Sequence, residues 1–453
     1  MQTGQASNDT PAQVSLPEAM RYWLRLGLIS FGGPSGQIAL MHDELVEKKR
    51  WISEQRFLHA LNYCMLLPGP EAMQLVTYIG WLMHRSMGGI MAGCLFVLPS
   101  LLILITLSWV YLAMGDVPVI AGILYGIKPA VVALVLAAAW RIGSRSLHNR
   151  WLLSVAVLAC VLISFVKLPF PAVIGIAALL GAVGARYAPN LFVAETNTAA
   201  SDTHTSSALI NDDTPPPVHG ALQWRALLRT IGIGVALGAL LLVLLNLLLG
   251  WRNPLVQMGW FFTKAALLSF GGAYAVLPYV YQGAVDHFGW LSATQMIDGL
   301  ALGETTPGPL IMIVAFVGFV GGWTQEVFGP FTLFWAGCAG ALVATVFTFL
   351  PSFVFILAGA PLVEATRGNL RLSAVLGAIS AAVVGVIVSL GALFAAHVFH
   401  LEQAVTRWDW LAIMIAAAAT LALVRFKVST VRLVLACAIT GLVISYAPIR
   451  PVF

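Results

Sequence analysis

Two basic residues stand alone in apolar stretches at corresponding places. Arg25 lies in YWLRLGLISFGG and Lys264 in WFFTKAALLSFGG, each six residues before a Phe-Gly-Gly triplet. A charge at membrane depth costs about 2.5–3.5 kcal/mol on insertion scales and usually faces a polar cavity. Two such cations flanking one site would suit a divalent anion; a side chain snorkelling to an interface is the plainer reading of either one alone. Gly32-Gly33 and Gly271-Gly272 allow turns closed to other residues and leave backbone amides open to a ligand. Pro34 follows the first pair. Further along come Pro68-Gly69-Pro70 and Pro307-Gly308-Pro309. Pro70 and Pro309 suit the first position of a helix, whose positive dipole end would then face the turn and favour an oxyanion; helix breaking alone would also explain both triplets. Glu71 follows the first triplet and Glu304 precedes the second, at positions that do not correspond. Each is a candidate proton carrier if buried, or a helix cap. Gln37, Asn62, Gln74, Thr305 and Thr306 are candidate neutral hydrogen-bond donors, with ordinary structural roles open to each.

The elements that must hold these residues are membrane helices. Hydrophobic residues make up 59% of the 453-residue chain and charged residues 9%, against about 25% charged in ordinary soluble domains. Runs such as 87–114, 120–140, 231–249 and 331–357 reach or exceed the ~20 residues that span a bilayer. Five cysteines lie scattered without a CxxC pair, as expected of thiols packed as small hydrophobes. HExxH, GxSxG, P-loop and GxGxxG patterns are missing from the sequence, so neither covalent catalysis nor ATP drive has a motif behind it. His42 in MHDELVEK lacks a second histidine at helical spacing and reads as part of a solvated charged face rather than a metal site.

The chain is a tandem duplication. Phe31 and Phe270, Trp51 and Trp290, Ser53 and Ser292, and the two Pro-Gly-Pro triplets are all 239 positions apart. Leu98-Pro-Ser100 and Leu350-Pro-Ser352 match later at an offset of 252. The expected organisation is a disordered N-terminus (1–16), a first repeat (17–190), a hydrophilic disordered linker (191–224), an added transmembrane helix (225–251) and a second repeat (252–453). One added crossing between two copies turns the second upside down, the inverted-repeat design of many secondary transporters. Loop charges agree. Lys48-Lys49-Arg50 corresponds to a loop with Asp286 and His287, whereas lone Lys167 corresponds to Arg425, Lys427 and Arg432. The expectation is an all-α polytopic protein of two inverted halves, with membrane-embedded hairpins at the FGG and PGP turns, four full spans after each pair of hairpins, and the N-terminus and linker in the cytoplasm.

Phe31-Gly-Gly-Pro34 with Gln37, Trp51-Ile-Ser-Glu54 with Phe57, and Leu67-Pro-Gly-Pro70-Glu71 followed by Gly80 closely resemble the chromate ion transporter family in its long, two-domain form. Phe270-Gly-Gly272, Gly289-Trp-Leu-Ser292 and Pro307-Gly-Pro309 repeat the pattern, so the resemblance covers nearly the whole chain. It implies a multi-pass protein of the bacterial inner membrane that exports chromate, gives chromate resistance and draws on the proton motive force. Sulfate is the structural look-alike and sulfate or another divalent oxyanion the alternative cargo. The implied partners are chromate, protons and lipid, with no nucleic acid, cofactor or enzymatic activity, in a monomer or homodimer. Ala273 stands where the first copy has Pro34, and Leu310 where it has Glu71, so the resemblance gives those two roles to the first half only.

Overall fold

The computed structural model describes residues 14–65, 67–115, 117–187, 209–210, 223–270, 272–365, 373–400 and 408–446. Residues 1–13, Gly271, most of the linker and residues 447–453 lie outside that set. Among the described residues the regular elements are all helices. The first repeat runs α1 (Leu16–Ile29), α2 (Gly33–His42), a π-helical turn (Asp43–Lys48), α3 (Glu54–Cys64), α4 (Glu71–Met114), α5 (Pro118–Ser146), α6 (Arg150–Ser164) and α7 (Phe170–Tyr187). After α8 (Trp224–Leu249), the second runs α9 (Pro254–Leu268), α10 (Ala273–Tyr281), a π-helical turn (Gln282–His287), α11 (Ala293–Thr305), a 3₁₀ turn (Leu310–Met312), α12 (Ile313–Thr324), α13 (Leu333–Ala365), α14 (Ser373–Phe399), α15 (Trp410–Val424) and α16 (Thr430–Tyr446).

The offset of 239 recurs in local structure. The two π-helical turns occupy corresponding residues, and Ser53 and Ser292 both cap the following helix by accepting a backbone N–H. Trp51 and Trp290 are both buried. These repeated residues thus start the second hairpin of each copy rather than touching a ligand. Pro70 and Pro309 sit one residue earlier than expected, as extended N-caps, with Glu71 and Leu310 opening the helical turns. α4 breaks at His84 and Arg85, where the expected hairpin ends and a long span begins.

Among the described residues, five helices are long and apolar enough to cross a membrane: α4, α5, α8, α13 and α14. The expectation of four full spans per copy needs correcting here. α6, α7, α15 and α16 have 15, 18, 15 and 17 residues, or about 22–27 Å at 1.5 Å per residue, against the ~30 Å hydrocarbon core. Each pair turns on a lysine at positive φ, Lys167 at 55° and Lys427 at 51°. In the first copy the sequence Lys-Leu-Pro-Phe-Pro after Val166 prevents one continuous helix.

The copies interlock. α5 packs on α16 and α15 of the other half, and α14 packs on α7 and α6, which is the same pairing with the copies exchanged. Small residues let these backbones approach: Gly126 meets Gly441, and Gly385 meets the Ala156 carbonyl. α8 lies apart from this arrangement, with none of its residues buried. Within the expected disordered linker, Leu209 and Ile210 depart from expectation. They add to the segment after α2 as a strand would, Leu209 N–H donating to Arg50 O (2.9 Å), Ile210 N–H to Trp51 O (3.2 Å) and Ser53 N–H to Ile210 O (3.0 Å). An apolar Leu-Ile pair inside a polar tract has surface to bury, and Ile210 packs against the core.

Candidate functional site: crossed turns between two vestibules

The FGG turn of each copy holds the PGP turn of the other. Gly308 N–H donates to Ser30 O at 2.8 Å, and Gly69 N–H donates to Ser269 O at 3.1 Å. Ser30 corresponds to Ser269 and Gly69 to Gly308, so the contact is reciprocal, as in an isologous interface. Gly69 and Gly308 have φ of 127° and 101°. A Cβ on Gly69 would run into Ser352 Oγ, and one on Gly308 would lie 2.7 Å from Ser100 Cβ. Those two serines are the matching residues of the Leu-Pro-Ser motifs, again exchanged between copies. Only glycine fits either place.

Side-chain amides complete the crossing asymmetrically. Gln37 Nε2 donates to the carbonyls of Gly308 and Ser30, and Gln74 Nε2 donates to Pro68 O at 2.8 Å. Ser30, Gln37, Gln74, Ser100 and Ser352 are all at most 1% exposed. Ser30 Oγ, Gln37 Oε1, Gln74 Oε1, Ser100 Oγ and Ser352 Oγ nonetheless have no hydrogen-bond partner. A buried polar atom without a partner costs about 1–3 kcal/mol, and five around one crossing mark a polar point in an apolar fold.

Two cavities adjoin these turns. The first, of about 620 Å³, is lined by Pro34 and Gly272 of the two FGG turns and by Glu71, Arg141 and Tyr274. The second, of about 1040 Å³, is lined by Lys264, Leu267 and Leu268 just before Ser269, and by Lys167. Ala39, His42, Asp43 and Glu47 in the first correspond to Pro278, Tyr281, Gln282 and Asp286 in the second. The vestibules are therefore themselves repeats of each other.

The expected residues divide clearly. Gly32, Gly33, Pro34, Gln37, Pro68, Gly69, Pro70, Gly272, Pro307, Gly308 and Pro309 lie at the turns or build them. Gly271 is outside the described residues. Lys264 lines the larger vestibule, with Nζ 5.6 Å from the Trp260 ring centre, while Arg25 is exposed and does not line that cavity. The two cations do not flank a common cavity there. Asn62 is exposed. The hydroxyls of Thr305 and Thr306 donate to Leu302 O and Gly303 O of their own helix, so their protons are already engaged. Glu71 faces the smaller vestibule, its Oε1 3.4 Å from where a Cβ of Gly272 would stand. Glu304 is 5% exposed and accepts a hydrogen bond from Tyr274 OH.

Sequence reasoning missed Arg141, which lines the smaller vestibule together with Tyr274. It also missed Lys128 and Asp298, which pair at 3.7 Å between the halves. The signal was available: Lys128 is the lone charge in the apolar run 118–140, and Asp298 the lone charge in 293–303.

Long apolar helices, interlocked repeats and a polar crossing define a multi-pass helical membrane protein. The chromate transporter family model matches residues 18–182 and 256–442, and the chain belongs to that family. It is 34% identical over 387 residues to a chromate transport protein of Pseudomonas aeruginosa, covering 85% of this chain and 82% of that one. It is 29% identical to a chromate transport protein of Cupriavidus metallidurans, covering 85% and 84%. An uncharacterized transporter of Bacillus subtilis, YwrA, is 30% identical over 155 residues, 34% of this chain but 87% of its own length. No solved structure matches the chain.

Proposed function

We propose that this protein exports chromate from the bacterial cytoplasm in exchange for protons, moving the dianion from one vestibule to the other past the crossed FGG and PGP turns. The observation that carries the reading is the reciprocal crossing itself, with five unpartnered buried oxygens around it and two repeat-related cavities lined by residues next to its turns. Family membership supplies the cargo class, and relatives named as chromate transport proteins match over most of their length. The two halves are inverted across the membrane, so the smaller vestibule opens to the cytoplasm and the larger to the opposite side. Alternating access rocks one set of helices against the other about the crossing.

In this scheme a tetrahedral dianion enters beside Arg141 and leaves beside Lys264, which neutralise its charge in turn. Ser30, Ser100 and Ser352 donate hydroxyl hydrogen bonds as it passes. Arg25, exposed on α1, acts at the interface rather than on the ion. Glu71 and Glu304, at the edge of the entry vestibule, take up protons as chromate departs. The test is chromate uptake into everted membrane vesicles energised with NADH. Uptake that collapses with a protonophore, resists excess sulfate and drops at least tenfold in Lys264→Ala and Arg141→Ala supports the reading. Uptake by those variants equal to the parent's would sink it.

A further inference from the structure

A third cavity, of about 360 Å³, lies at the opposite end of α5 from Arg141. It is lined by Tyr111 and Leu112 of α4, Tyr125 and Lys128 of α5, and Gln295 and Asp298 of α11. Asp298 is 2% exposed. Its Oδ2 accepts a hydrogen bond from Tyr111 OH at 2.9 Å and faces Lys128 Nζ at 3.7 Å, while its Oδ1 has no partner. Lys128 is 28% exposed at its side chain. A structural ion pair buried this deeply would be expected to satisfy both oxygens, because the desolvation of each charge must be offset. Here one oxygen is left without a partner beside a cavity.

We infer that Asp298 is a proton-binding site of the transport cycle, loaded through this third cavity and held in its charged form by Lys128. The inference rests on the proton-coupled reading given above and adds to Glu71 and Glu304 a proton site outside the vestibules. The chemistry is a simple exchange: the carboxylate accepts a proton on Oδ1, becomes neutral and releases its hold on the Lys128 ammonium, which keeps its own proton. Among the described residues, the ionisable groups facing it are few. α5 contributes Lys128 and Tyr125, whose hydroxyl donates to Asp409 at 2.8 Å, and α4 contributes Tyr111. α12 and the turn 310–312 contain no ionisable residue, and His397 of α14 and Arg432, Cys437 and Tyr446 of α16 are not partners of the carboxyl among the described residues.

The geometry says why such a proton would matter. Asp298 and Glu304 lie six residues apart on α11, about 9 Å along the axis; Lys128 and Arg141 lie thirteen apart on α5, about 20 Å. The same two helices, one from each half, thus carry a cation–acid pair at the third cavity, with Arg141 further along α5 at the smaller vestibule and Glu304 further along α11. Neutralising Asp298 removes the ion pair that ties α5 to α11 at this end and frees the two helices to shift against each other.

The test uses the full-length protein in proteoliposomes. Asp298→Asn should keep at least half of the parent's chromate exchange between equal pools, which needs no gradient, and lose at least tenfold in gradient-driven accumulation. Asp298→Asn accumulating chromate like the parent, or losing exchange and accumulation together, would overturn the inference, as would parent accumulation indifferent to the proton gradient. A second measurement needs no chromate at all. The pH-difference infrared spectrum of the parent should contain a carboxylic C=O band that is lost in Asp298→Asn. In Lys128→Met that band should titrate about one pH unit higher or more, because the removed cation favoured the carboxylate. A spectrum unchanged by Asp298→Asn refutes the site even if the protein carries some other anion. Chromate exchange missing from the parent while the band behaves as described would instead refute the cargo.

Discussion

At the scale of single residues, the crossing separates roles that a motif alone merges. Gly69 and Gly308 are structural: each adopts positive φ and faces a serine of the other half. Alanine there adds strain of about 1–2 kcal/mol and overpacking of about 1–3 kcal/mol. Gly308→Ala should therefore lower the melting temperature in detergent markedly. Gly250→Ala, with φ of 81° and open space around it, should show the strain alone and a clearly smaller drop. Equal drops would mean that the contact with Ser100 is not what requires glycine. Ser100 makes the opposite prediction. Its hydroxyl is buried without a partner, so Ser100→Ala removes an unmet desolvation cost and leaves stability unchanged or raised. Chromate transport should nevertheless fall about tenfold, equivalent to ~1.4 kcal/mol. A stable variant with full transport would remove Ser100 from the ion's path.

Helices decide which of these residues meet, and here the sequence was only partly readable. FGG and PGP announced themselves as turns because glycine and proline punctuate locally, and the constant offset announced two copies. The charges on α5 and α11 were legible as anomalies in apolar runs, but not as partners. Lys128 finds Asp298 only because α5 of one half lies against α11 of the other, and nothing local to either segment encodes that neighbour. Arg25 and Lys264 err in the other direction. Equal position in two copies fixes equal local structure, yet exposure depends on what packs alongside, and the halves differ there. The short α6–α7 and α15–α16 hairpins were read as full spans because composition alone does not reveal a turn at lysine. The interlocking of α5 with α16 supplies its own test. A Cβ on Gly126 would meet the Cys437 carbonyl and sit 2.8 Å from Gly441 Cα, whereas Gly175 on α7 has open space. Gly126→Leu should force the helices apart, with loss of transport and a lower melting temperature, while Gly175→Leu should leave both near the parent's values. Tolerance of leucine at Gly126 would show that this close approach is not needed.

Across the whole molecule, reciprocity is the organising feature: turn on turn, serine against glycine, α5 on α16 as α14 on α7. Every such contact follows if the copies are related by a two-fold axis, and an axis in the membrane plane makes the two vestibules open on opposite sides. On the proposed reading, that orientation gives one site two exits without a second design. It is also open to a direct measurement at corresponding residues. Glu47 and Asp286 occupy the same position in the two copies and line the smaller and the larger vestibule, respectively. In a variant with its five cysteines replaced by alanine, Glu47→Cys should react with a membrane-impermeant thiol reagent in everted vesicles and not in spheroplasts. Asp286→Cys should do the reverse. Chromate binding should slow both reactions, because one ion passing the crossing draws the halves together from either side. Labelling of both cysteines from the same side would contradict inversion and leave the reciprocal contacts as a two-fold relation about an axis perpendicular to the membrane, a geometry that gives parallel halves and no exchange of sides.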